Sequence, residues 1–303
     1  MAFFRKENTP MELRLLQYFL AVAKEQSISK AAKYLHLSQP TLSRQIRDLE
    51  EELGKQLLIR GNRKITLTEE GMILRKRAEE IINLVQKTEK EITLSDDTVT
   101  GDIYIGTGET EGVRLLAQVA KKLQEIYPEI HYHIVSGDSM DIMEHLDKGL
   151  LDFAILLDPV DLSKYESMKL PYKDITGVLM RKDSPLAEKE SIPTYELANL
   201  PLIVSRQQLK NGVLDLLTKQ SDTPLNIIAS YNLIFNASLM VEEGLGYAIG
   251  LDQIINTTGN TNLTFRPLTP RIEIGMNFVW KKYQVFSKAA EIFLQTILAS
   301  FQA

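Results

Sequence analysis

Apolar residues recur at helical spacing through the first third of the chain. One helix is predicted at residues 13–25, and a short second helix follows around Ala31 and Ala32. A third helix is predicted at residues 39–53, where apolar side chains three or four positions apart form one face. The members of that face are Leu42, Ile46, Leu49 and Leu53. This pattern predicts a small helical domain at the start of the chain.

The third predicted helix has clear start and stop signals. Ser38 can accept a hydrogen bond from an amide of the first turn, and Pro40 stands where its missing N–H costs nothing. Gly54 then ends the helix. The face away from the apolar stripe carries hydroxyl and cationic side chains, namely Thr41, Ser43, Arg44 and Arg47. Short side chains and long arginines on one rigid helix are what reading the major groove of DNA requires.

A cationic turn follows this helix. Residues 55–68 contain Arg60, Arg63 and Lys64, which predicts a β-hairpin wing that contacts phosphates beside the recognition helix. The alternative is an ordinary helical hairpin whose charged face is merely solvated, because helix pairs and charge runs are common in proteins.

Several short motifs in this stretch stand at spacings typical of one family. They are Ser27-Ile28-Ser29-Lys30-Ala31-Ala32, Ser38-Gln39-Pro40, Ser43, Ile46, Leu49-Glu50, Leu53-Gly54, Leu57-Leu58-Ile59-Arg60 and Thr68-Glu69-Glu70-Gly71. Together they resemble the winged helix-turn-helix of LysR-type transcriptional regulators, with Leu58 where that pattern has phenylalanine. The resemblance implies double-stranded operator DNA as a partner and these contacts: Ser29, Lys30, Ser38, Gln39, Pro40, Thr41, Ser43, Arg44, Arg47, Arg60, Arg63 and Lys64.

Residues 68–94 predict one long helix, which at about 1.5 Å per residue would span about 40 Å. Its apolar positions alternate between spacings of four and three, as in a coiled-coil seam. Packing of this helix on its own domain is the alternative. The segment resembles the linker helix through which LysR-type subunits pair, which implies a homodimer or homotetramer. The predicted dimer contacts are Leu74, Ala78, Ile81, Val85 and Ile92, with Thr88 also on the seam.

After Gly101 the pattern changes to short apolar strands that alternate with amphipathic helices. Strands are predicted at residues 102–106, 131–135 and 153–157, and this βαβ alternation is typical of a parallel sheet. A second set has strands at 177–181, 202–205, 226–231, 247–251, 263–267 and 274–280, and helices at 212–219, 233–243 and 287–301.

The two sets predict two α/β subdomains with a cleft between them, joined by crossing segments near residues 159–169 and 264–269. This arrangement resembles the effector-binding domain of LysR-type regulators, which is similar to periplasmic solute-binding proteins. The resemblance rests on Tyr127-Pro128, Gly149, Asp152 and Glu243-Gly244-Leu245-Gly246. The predicted fold is multidomain: an all-α winged helix-turn-helix at 11–67, a long dimerisation helix at 68–95, and an α/β effector domain at 96–303, with subdomain I at about 96–165 and 266–303 and subdomain II at about 166–265.

Ligands in sheets of this kind lie at the carboxyl ends of strands, near helix starts. Seven residues occupy such places on facing sides of the predicted cleft: Thr107, Gly108, Thr110, Ser205, Arg206, Tyr231 and Asn232. The fork of Arg206 suits a carboxylate, and the alternative is that it pairs with a surface carboxylate of the chain. Glu109 and Glu111 argue against an anionic ligand, and Asp252 favours a cationic or polar one.

Charge separates the two parts of the chain. Residues 1–95 hold 17 Lys/Arg and 13 Asp/Glu, a net charge of +4, whereas the remainder holds 18 and 27, a net charge of −9. The basic part coincides with the DNA-binding motif, and the acidic part disfavours DNA. No apolar run approaches the roughly 20 residues of a membrane span, and the charged first ten residues are not a signal peptide. A cytoplasmic protein without a membrane partner is expected.

Other candidate chemistry is weaker. The chain has no cysteine, which excludes disulfides and thiolate metal sites. His131 and His133 share a strand face but lack a third ligand, so no metal is expected. The glycines at 106–112 suggest a dinucleotide loop, but their last spacing is one residue too long and glutamates crowd the phosphate position. Glu109 and Glu111 imitate a catalytic pair, yet carboxylates at a helix start more often complement its dipole. No catalytic residue and no cofactor are expected.

These observations predict a LysR-type regulator that binds operator DNA and responds to a small-molecule effector bound between two subdomains. The alternative from another class is a cytoplasmic solute-binding protein with a vestigial DNA-binding module. DNA binding itself separates the two hypotheses.

Overall fold

The computed structural model describes residues 11–61, 64–93, 99–210 and 224–301. The chain forms two compact units, and the division falls between Thr93 and Leu94. Three predictions lie outside the described residues: Arg63 in the wing, the polar boundary at 95–98 and the helix at 212–219. Among the described helices, none has both the length and the apolar character that crossing a membrane requires.

The first unit consists of helices and one two-stranded hairpin. In chain order its elements are α1 (Leu13–Glu25), α2 (Ile28–Tyr34), α3 (Gln39–Leu53), β1 (Leu58–Arg60), β2 (Ile65–Leu67) and α4 (Glu69–Thr93). The two strands pair antiparallel, with Leu58 opposite Leu67. The predicted bounds of α1 and α3 are confirmed to the residue, and the predicted wing is present as the β1–β2 hairpin.

One apolar core joins α1, α2, α3 and the hairpin. Its fully buried members include Phe19, Val22, Ala31, Leu42, Ile46, Leu49 and Leu58. Each large side chain of this kind contributes about 1.5–3 kcal/mol when it is buried. The prediction that Leu53 is buried with them is wrong, because its side chain is 37% exposed. Leu53 is the last residue of α3, and Gly54 then turns the chain in the left-handed conformation, with φ at 62°.

The first half of α4 packs on α1 within the same chain. Ala78 and Ile82 are buried in a cluster with Leu16 of α1, and Leu74 packs against this cluster. The prediction that Ala78 faces a second subunit therefore needs correction, because α1 already covers it, whereas Leu74 is only partly buried and stays a predicted dimer contact. This is the own-domain packing that the sequence left as an alternative. The exposed apolar side chains of α4 are Met72, Ile73, Ile81, Leu84 and Ile92.

The second unit begins with the predicted alternation of strands and helices. Its first elements are β3 (Gly101–Thr107), α5 (Val113–Ile126), β4 (Ile130–Ser136), α6 (Ser139–Asp147) and β5 (Phe153–Leu157). Strand β3 lies between β4 and β5 and is parallel to both. Later strands complete the sheet, and the helix α9 (Lys288–Phe301) packs on its core. The phenyl rings of Phe153 and Phe278 stack there at 5.1 Å.

A single long strand, β6 (Tyr165–Arg181), belongs to both halves of the second unit. Up to Ile175 it pairs with β12 (Glu273–Lys281), and from Thr176 it pairs with β10 (Tyr247–Leu251). The first crossing therefore lies inside a strand, about ten residues after the predicted boundary at 165. The sequence does not reveal this, because an unbroken strand can exchange one partner for another without any change in its own pattern.

The second half of this unit is built on the far part of β6. Its elements are β7 (Ile192–Pro193), β8 (Leu202–Ser205), α7 (Arg206–Lys210), β9 (Ile227–Tyr231), α8 (Ile234–Glu242) and β11 (Leu263–Thr269). Strand β8 lies between β9 and β10 and is parallel to both. The strand order is β4-β3-β5-β12-β6-β10-β8-β9, with β11 beside β6 and β7. The second crossing runs from β11 to β12, again later than the predicted boundary at 265.

Candidate nucleic-acid interface and ligand cleft

Helix α3 presents a polar face opposite its buried face. Leu42, Ile46 and Leu49 point into the core, whereas the predicted DNA contacts on the other side are accessible. Ser38, Gln39, Pro40, Thr41, Arg44 and Arg47 are exposed, and Ser43 is half-buried. Because the buried face holds the helix rigidly, the exposed residues have defined positions relative to one another.

The start of α3 is organised by two hydroxyl groups. Ser38 Oγ accepts a hydrogen bond from the amide of Thr41 at 3.3 Å and lies 2.7 Å from Thr41 Oγ1. Further along, Arg44 lies 3.9 Å from Asp48, and its side chain is 82% exposed. An exposed pair of this kind contributes about 0–1 kcal/mol, so Arg44 can leave Asp48 at little cost.

The wing is tied to α3 by a half-buried carboxylate that the sequence analysis did not single out. Glu50 Oε1 accepts hydrogen bonds from the amides of Leu57 and Leu58, at 2.8 and 3.1 Å. Its other oxygen lies 4.0 Å from Arg60. Glu50 therefore positions the strand that carries Arg60 relative to α3. Its place in the Leu49-Glu50 motif was the only sign of this role in the sequence.

The remaining predicted contacts lie around this surface. Lys64 is exposed beside the hairpin, and Ser29 and Lys30 are exposed in the first turn of α2. The amide of Lys30 donates to Ser27 Oγ at 3.4 Å, which caps α2. Every predicted DNA contact in the described ranges is thus exposed, except for the half-buried Ser43, whereas Arg63 lies outside them.

A cleft lies between the two halves of the second unit. Its cavity volume is about 100 Å³. Five of the seven predicted ligand contacts line it: Gly108, Ser205, Arg206, Tyr231 and Asn232. The lining residues that the sequence analysis did not select are Glu109, Gly137, Asp138, Leu157, Asp158, Gln207, Gln208, Ile234, Gly250, Leu251, Ile254 and Ile274. Most of these follow strand ends, which was the signal available in the sequence.

Thr107 and Thr110 do not line the cleft. Both side chains are buried, at 2% and 7% exposure. Thr107 Oγ1 donates to the carbonyl of Gly108 at 2.8 Å, and Thr110 Oγ1 donates to Asp174 at 2.5 Å. The prediction that these hydroxyls bind the ligand therefore needs correction, because each is already used inside the fold.

Two contacts between described residues cross the cleft. The amide of Ile234, at the start of α8, donates a hydrogen bond to Glu109 Oε2. Arg206 Nη2 lies 3.8 Å from Asp138 Oδ2. Burial raises the pKa of Glu109, and the bond from Ile234 lowers it. Glu109 and Asp138 belong to one half of the second unit, and Ile234 and Arg206 belong to the other. The two contacts therefore link the two halves across the cleft.

The polar residues on the cleft wall that follows β8 and β9 are held by hydrogen bonds to nearby residues of the same half. Tyr231 donates its phenol proton to the carbonyl of Ile249 at 2.7 Å. Burial, together with the negative charge of Glu109, raises the pKa of the Tyr231 phenol above its ordinary value. Ser205 Oγ accepts from the amide of Gln208, and Gln208 Oε1 accepts from the amide of Ser205, both at 3.1 Å. This wall is therefore preorganised.

Asp174 is a buried carboxylate beside the crossing point of β6. It accepts the hydrogen bond from Thr110 and is 2% exposed, and its Oδ1 has no hydrogen-bond partner among the described residues. Burial raises its pKa to about 6, with a further contribution from the negative charges of Glu111 and Asp252. The hydrogen bonds from Thr110 and from the amide of Glu111 act in the opposite direction.

Gly106 and Gly112 are explained by packing rather than by phosphate binding. A Cβ at Gly106 would lie 2.6 Å from Leu151 Cδ1, and a Cβ at Gly112 would lie 2.0 Å from Met276 Sδ. The space beside these glycines is filled by the protein core. This agrees with the rejection of a dinucleotide loop on grounds of spacing.

The other acidic and histidine candidates also have structural partners. Glu111 forms an ion pair with Arg114 at 2.8 Å, and Asp252 is not among the residues that line the cleft. The expectation that Asp252 selects the ligand is therefore not supported. His133 Nε2 lies 3.0 Å from Asp102, and its ring stacks on Tyr104 at 4.6 Å. Within the described ranges no three side chains form a metal site.

Comparison with protein families assigns both units. Residues 13–72 match the model described as "Bacterial regulatory helix-turn-helix protein, lysR family". Residues 96–302 match the model described as "LysR substrate binding domain". Together the two matches cover most of the chain.

Among curated proteins, the hydrogen peroxide-inducible genes activator of Pectobacterium carotovorum subsp. carotovorum is 31% identical over 194 residues. The alignment covers 64% of this chain and 64% of that relative. The OxyR dual regulator of Escherichia coli K12 is 32% identical over 195 residues, 64% of this chain and 63% of its own. The chain thus aligns with less than two thirds of these relatives. YybE of Bacillus subtilis, an uncharacterised HTH-type regulator, is 30% identical over 298 residues, 96% of this chain and 99% of its own.

Solved structures share the fold. The structure of full-length CbnR in complex with its target DNA has a TM-score of 0.72 at 18% identity, covering 96% of this chain and 100% of CbnR. A full-length OxyR variant from Pseudomonas aeruginosa has a TM-score of 0.56 at 22% identity, covering 95% of this chain and 99% of its own. At these identities the likeness supports the fold and nothing finer.

Proposed function

Because the chain belongs to the LysR family of bacterial regulatory proteins, we propose that it is a transcriptional regulator that binds operator DNA and a small-molecule effector. The first unit binds the DNA and the second binds the effector. The observation that carries this proposal is the two-faced helix α3. Leu42, Ile46 and Leu49 on its apolar face are fully buried, and its opposite face exposes hydroxyls and two arginines, Arg44 and Arg47.

The exposed face of α3 has the chemistry of major-groove recognition. Arg44 and Arg47 can donate paired hydrogen bonds to guanine, and Gln39 can pair with adenine. Arg60 and Lys64 lie on the wing, where cations neutralise phosphates and fix the register of the protein on the duplex. CbnR, which shares the fold, has been solved in complex with its target DNA.

The test is binding of the full-length protein to DNA from upstream of its own coding region, measured by fluorescence anisotropy. The double variant Arg44→Ala/Arg47→Ala should bind at least about 30-fold more weakly, since each base-reading arginine contributes about 1–3 kcal/mol. The matched control is Arg14→Ala/Arg75→Ala, which removes two exposed cations outside α3 and should bind like the parent. Equal affinity of both variants would contradict the proposal.

The cleft of the second unit is the proposed effector site. It combines an apolar wall with a few converging polar groups, which is the usual composition of a small-molecule pocket. Gly108, Ser205, Arg206, Tyr231 and Asn232 are the proposed effector contacts among the residues first selected from the sequence. Glu109 and Asp138 are added to the proposed effector contacts because each makes a contact across the cleft.

A thiol-based response to peroxide does not transfer to this chain. Several of its relatives bear names that refer to hydrogen peroxide, but this sequence contains no cysteine. Oxidation to a sulfenic acid or a disulfide requires a cysteine thiolate. We therefore propose that the effector acts by reversible binding in the cleft rather than by oxidation of a cysteine.

A homodimer or homotetramer is the proposed assembly, paired through α4. Ile81, Leu84 and Ile92 are exposed on this helix, and Val85 is half-buried among them. Apolar side chains on a long helix that are not covered by their own domain indicate a partner helix. We place the protein in the cytoplasm, where it has access to DNA. The rival proposal, a solute-binding protein with a vestigial DNA module, predicts no DNA binding in the same experiment.

A further inference from the structure

We infer that the effector carries a protonated amino group, and that the cleft of the second unit recognises this cation through its own carboxylates. The inference rests on the proposed function, because it concerns the ligand of the proposed effector site. It starts from the charges that line the cavity. Among the described residues that line it, one arginine, Arg206, stands against three carboxylates, Glu109, Asp138 and Asp158, a net charge of −2. A cleft lined mainly by one sign of charge concentrates ligands of the opposite sign.

Three amides at helix starts beside the cleft, which would attract an anion, are already occupied by the chain. A helix N-terminus is a ready anion site because its first amides have no partner within the helix. At α8 the first amide, of Ile234, donates to Glu109. At α6 the amides of Met140 and Asp141 donate to Asp138 Oδ1, both at 3.1 Å. An anionic effector would have to displace a carboxylate of the protein from either place.

Arg206 is also engaged. Its guanidinium lies 3.8 Å from the second oxygen of Asp138, so the cation on the lining is balanced by the carboxylate opposite. Glu109 and Asp158 then remain as the charges that a ligand meets. Asp158 accepts a hydrogen bond from Asn277 at 2.9 Å and lies 4.0 Å from the exposed ammonium of Lys169.

Glu109 is the carboxylate that most needs a cation. Its only hydrogen bond among the described residues comes from the amide of Ile234, and no lysine, arginine or histidine of those residues forms an ion pair with it. The side chain is half-buried, so it has lost part of its hydration. A charge withdrawn from water is costly unless it is paired, and a ligand ammonium would supply the missing pair.

The rest of the cavity limits the body of the ligand. Leu157, Leu251 and Ile274 form apolar walls, whereas Gln208 and Asn232 offer amide groups. The volume of about 100 Å³ accommodates a small molecule. The ligand is therefore a short, partly apolar chain that ends in an amine.

The experiment is isothermal titration calorimetry of the full-length protein with probes of similar chain length and different charge. The cationic probes are cadaverine, agmatine and L-lysine, the anionic probe is glutarate, and the neutral probe is 1,5-pentanediol. We expect at least one amine to bind tenfold or more tightly than glutarate and the diol. Glu109→Gln should weaken that amine at least tenfold, since the amide oxygen can still accept from Ile234 but carries no charge.

The matched control is Glu111→Gln. Glu111 is two residues away, is paired with Arg114 and does not line the cavity, so this variant should bind the amine as the parent does. Tighter binding of glutarate, no binding of any of the amines, or an amine affinity that Glu109→Gln leaves unchanged would each overturn the inference. Anisotropy on upstream DNA runs in parallel. If no amine binds but the parent protein binds DNA, only the proposed ligand class is wrong. If the parent protein does not bind DNA, the proposed function itself is contradicted.

Discussion

The hydroxyl of Thr110 donates a hydrogen bond to Oδ2 of Asp174 over 2.5 Å, and both side chains are buried. Thr110 follows the first strand of the second unit, and Asp174 lies on β6 just before that strand changes partners. The same threonine accepts a bond from the amide of Gly112 at 3.0 Å. Its neighbour Glu109 makes the contact across the cleft. Asp174 is thus linked through Thr110 to Glu109, whose hydrogen bond with the amide of Ile234 spans the cleft.

This buried carboxylate predicts a stability that depends on pH. The pKa of Asp174 is raised to about 6 in the folded protein from an ordinary value near 4, so the folded state holds a proton that the unfolded chain releases. Stability is therefore lost as pH rises from about 4 through 6, by up to about 3 kcal/mol. Asp174→Asn should be more stable than the parent at pH 7.5, and the difference should vanish near pH 4. Thermal unfolding across this range measures it.

The control for this prediction lies on the same strand. Glu166 is exposed on β6, so Glu166→Gln should leave the pH profile unchanged. A parent profile that is flat between pH 4 and 7, or an Asn variant less stable than the parent at pH 7.5, would contradict the role assigned to Asp174.

The proposed DNA contacts should separate into two kinds. Lys64→Ala removes a phosphate contact, so it should weaken binding to all sequences and reduce the salt slope by about one unit. Arg44→Ala removes a base contact, so it should cost about 1–3 kcal/mol and relax preference at particular base pairs. Anisotropy at several salt concentrations, on the upstream site and on single-base variants, distinguishes them. If Arg44→Ala discriminates among these sites as the parent does, Arg44 does not read bases.

The exposed face of α4 should hold two subunits together. Ile81→Asp/Leu84→Asp places two charges where apolar contacts between subunits are proposed, and each unpaired buried charge costs several kcal/mol. Sedimentation should show loss of the dimer with the fold retained. Gln86→Asp, also on α4 and exposed, should remain a dimer. By contrast, Ala78→Asp should destabilise the first unit itself, because Ala78 is fully buried against α1.

Glu50 should stabilise the wing. In Glu50→Ala the amides of Leu57 and Leu58 lose their acceptor while the leucine side chains stay buried, and two buried amides without a partner should cost about 1–3 kcal/mol. Glu51→Ala is the matched control, since Glu51 is exposed on the same helix and should change stability by less than about 0.5 kcal/mol. Urea unfolding of the two variants measures the difference. Equal stabilities would show that Glu50 does not position the wing.

The sequence predicted the elements whose signals are local. Helix α3 was predicted to the residue because its stripe repeats at 3.6-residue spacing and its ends carry a serine cap and a left-handed glycine. Most strands of the second unit were found because short apolar runs alternate with amphipathic helices, but β7 and the part of β6 before residue 177 were not predicted. Five of the seven predicted ligand contacts line the cleft for a related reason, since parallel strands bring their carboxyl ends to one edge.

The errors arose where one pattern permits two partners. Ala78 has the spacing of a seam, but periodicity reports only that a face is buried and not against what. The structure places α1 there. Thr107 and Thr110 stand at a strand end, but whether a hydroxyl faces the cleft or the core depends on which side of the sheet is covered. In the structure both threonine side chains are buried in the core.

By itself, the sequence determined the order of helices and strands, the polar face of α3 and the family, because these depend on neighbours a few residues apart. Only the tertiary structure decided which charges meet in the cleft. Glu109 meets the amide of Ile234 from 125 positions away, and Thr110 meets Asp174 from 64 positions away. Such contacts depend on how the two halves of the second unit are arranged around the long strand β6. No local pattern in the sequence specifies which distant residues will meet.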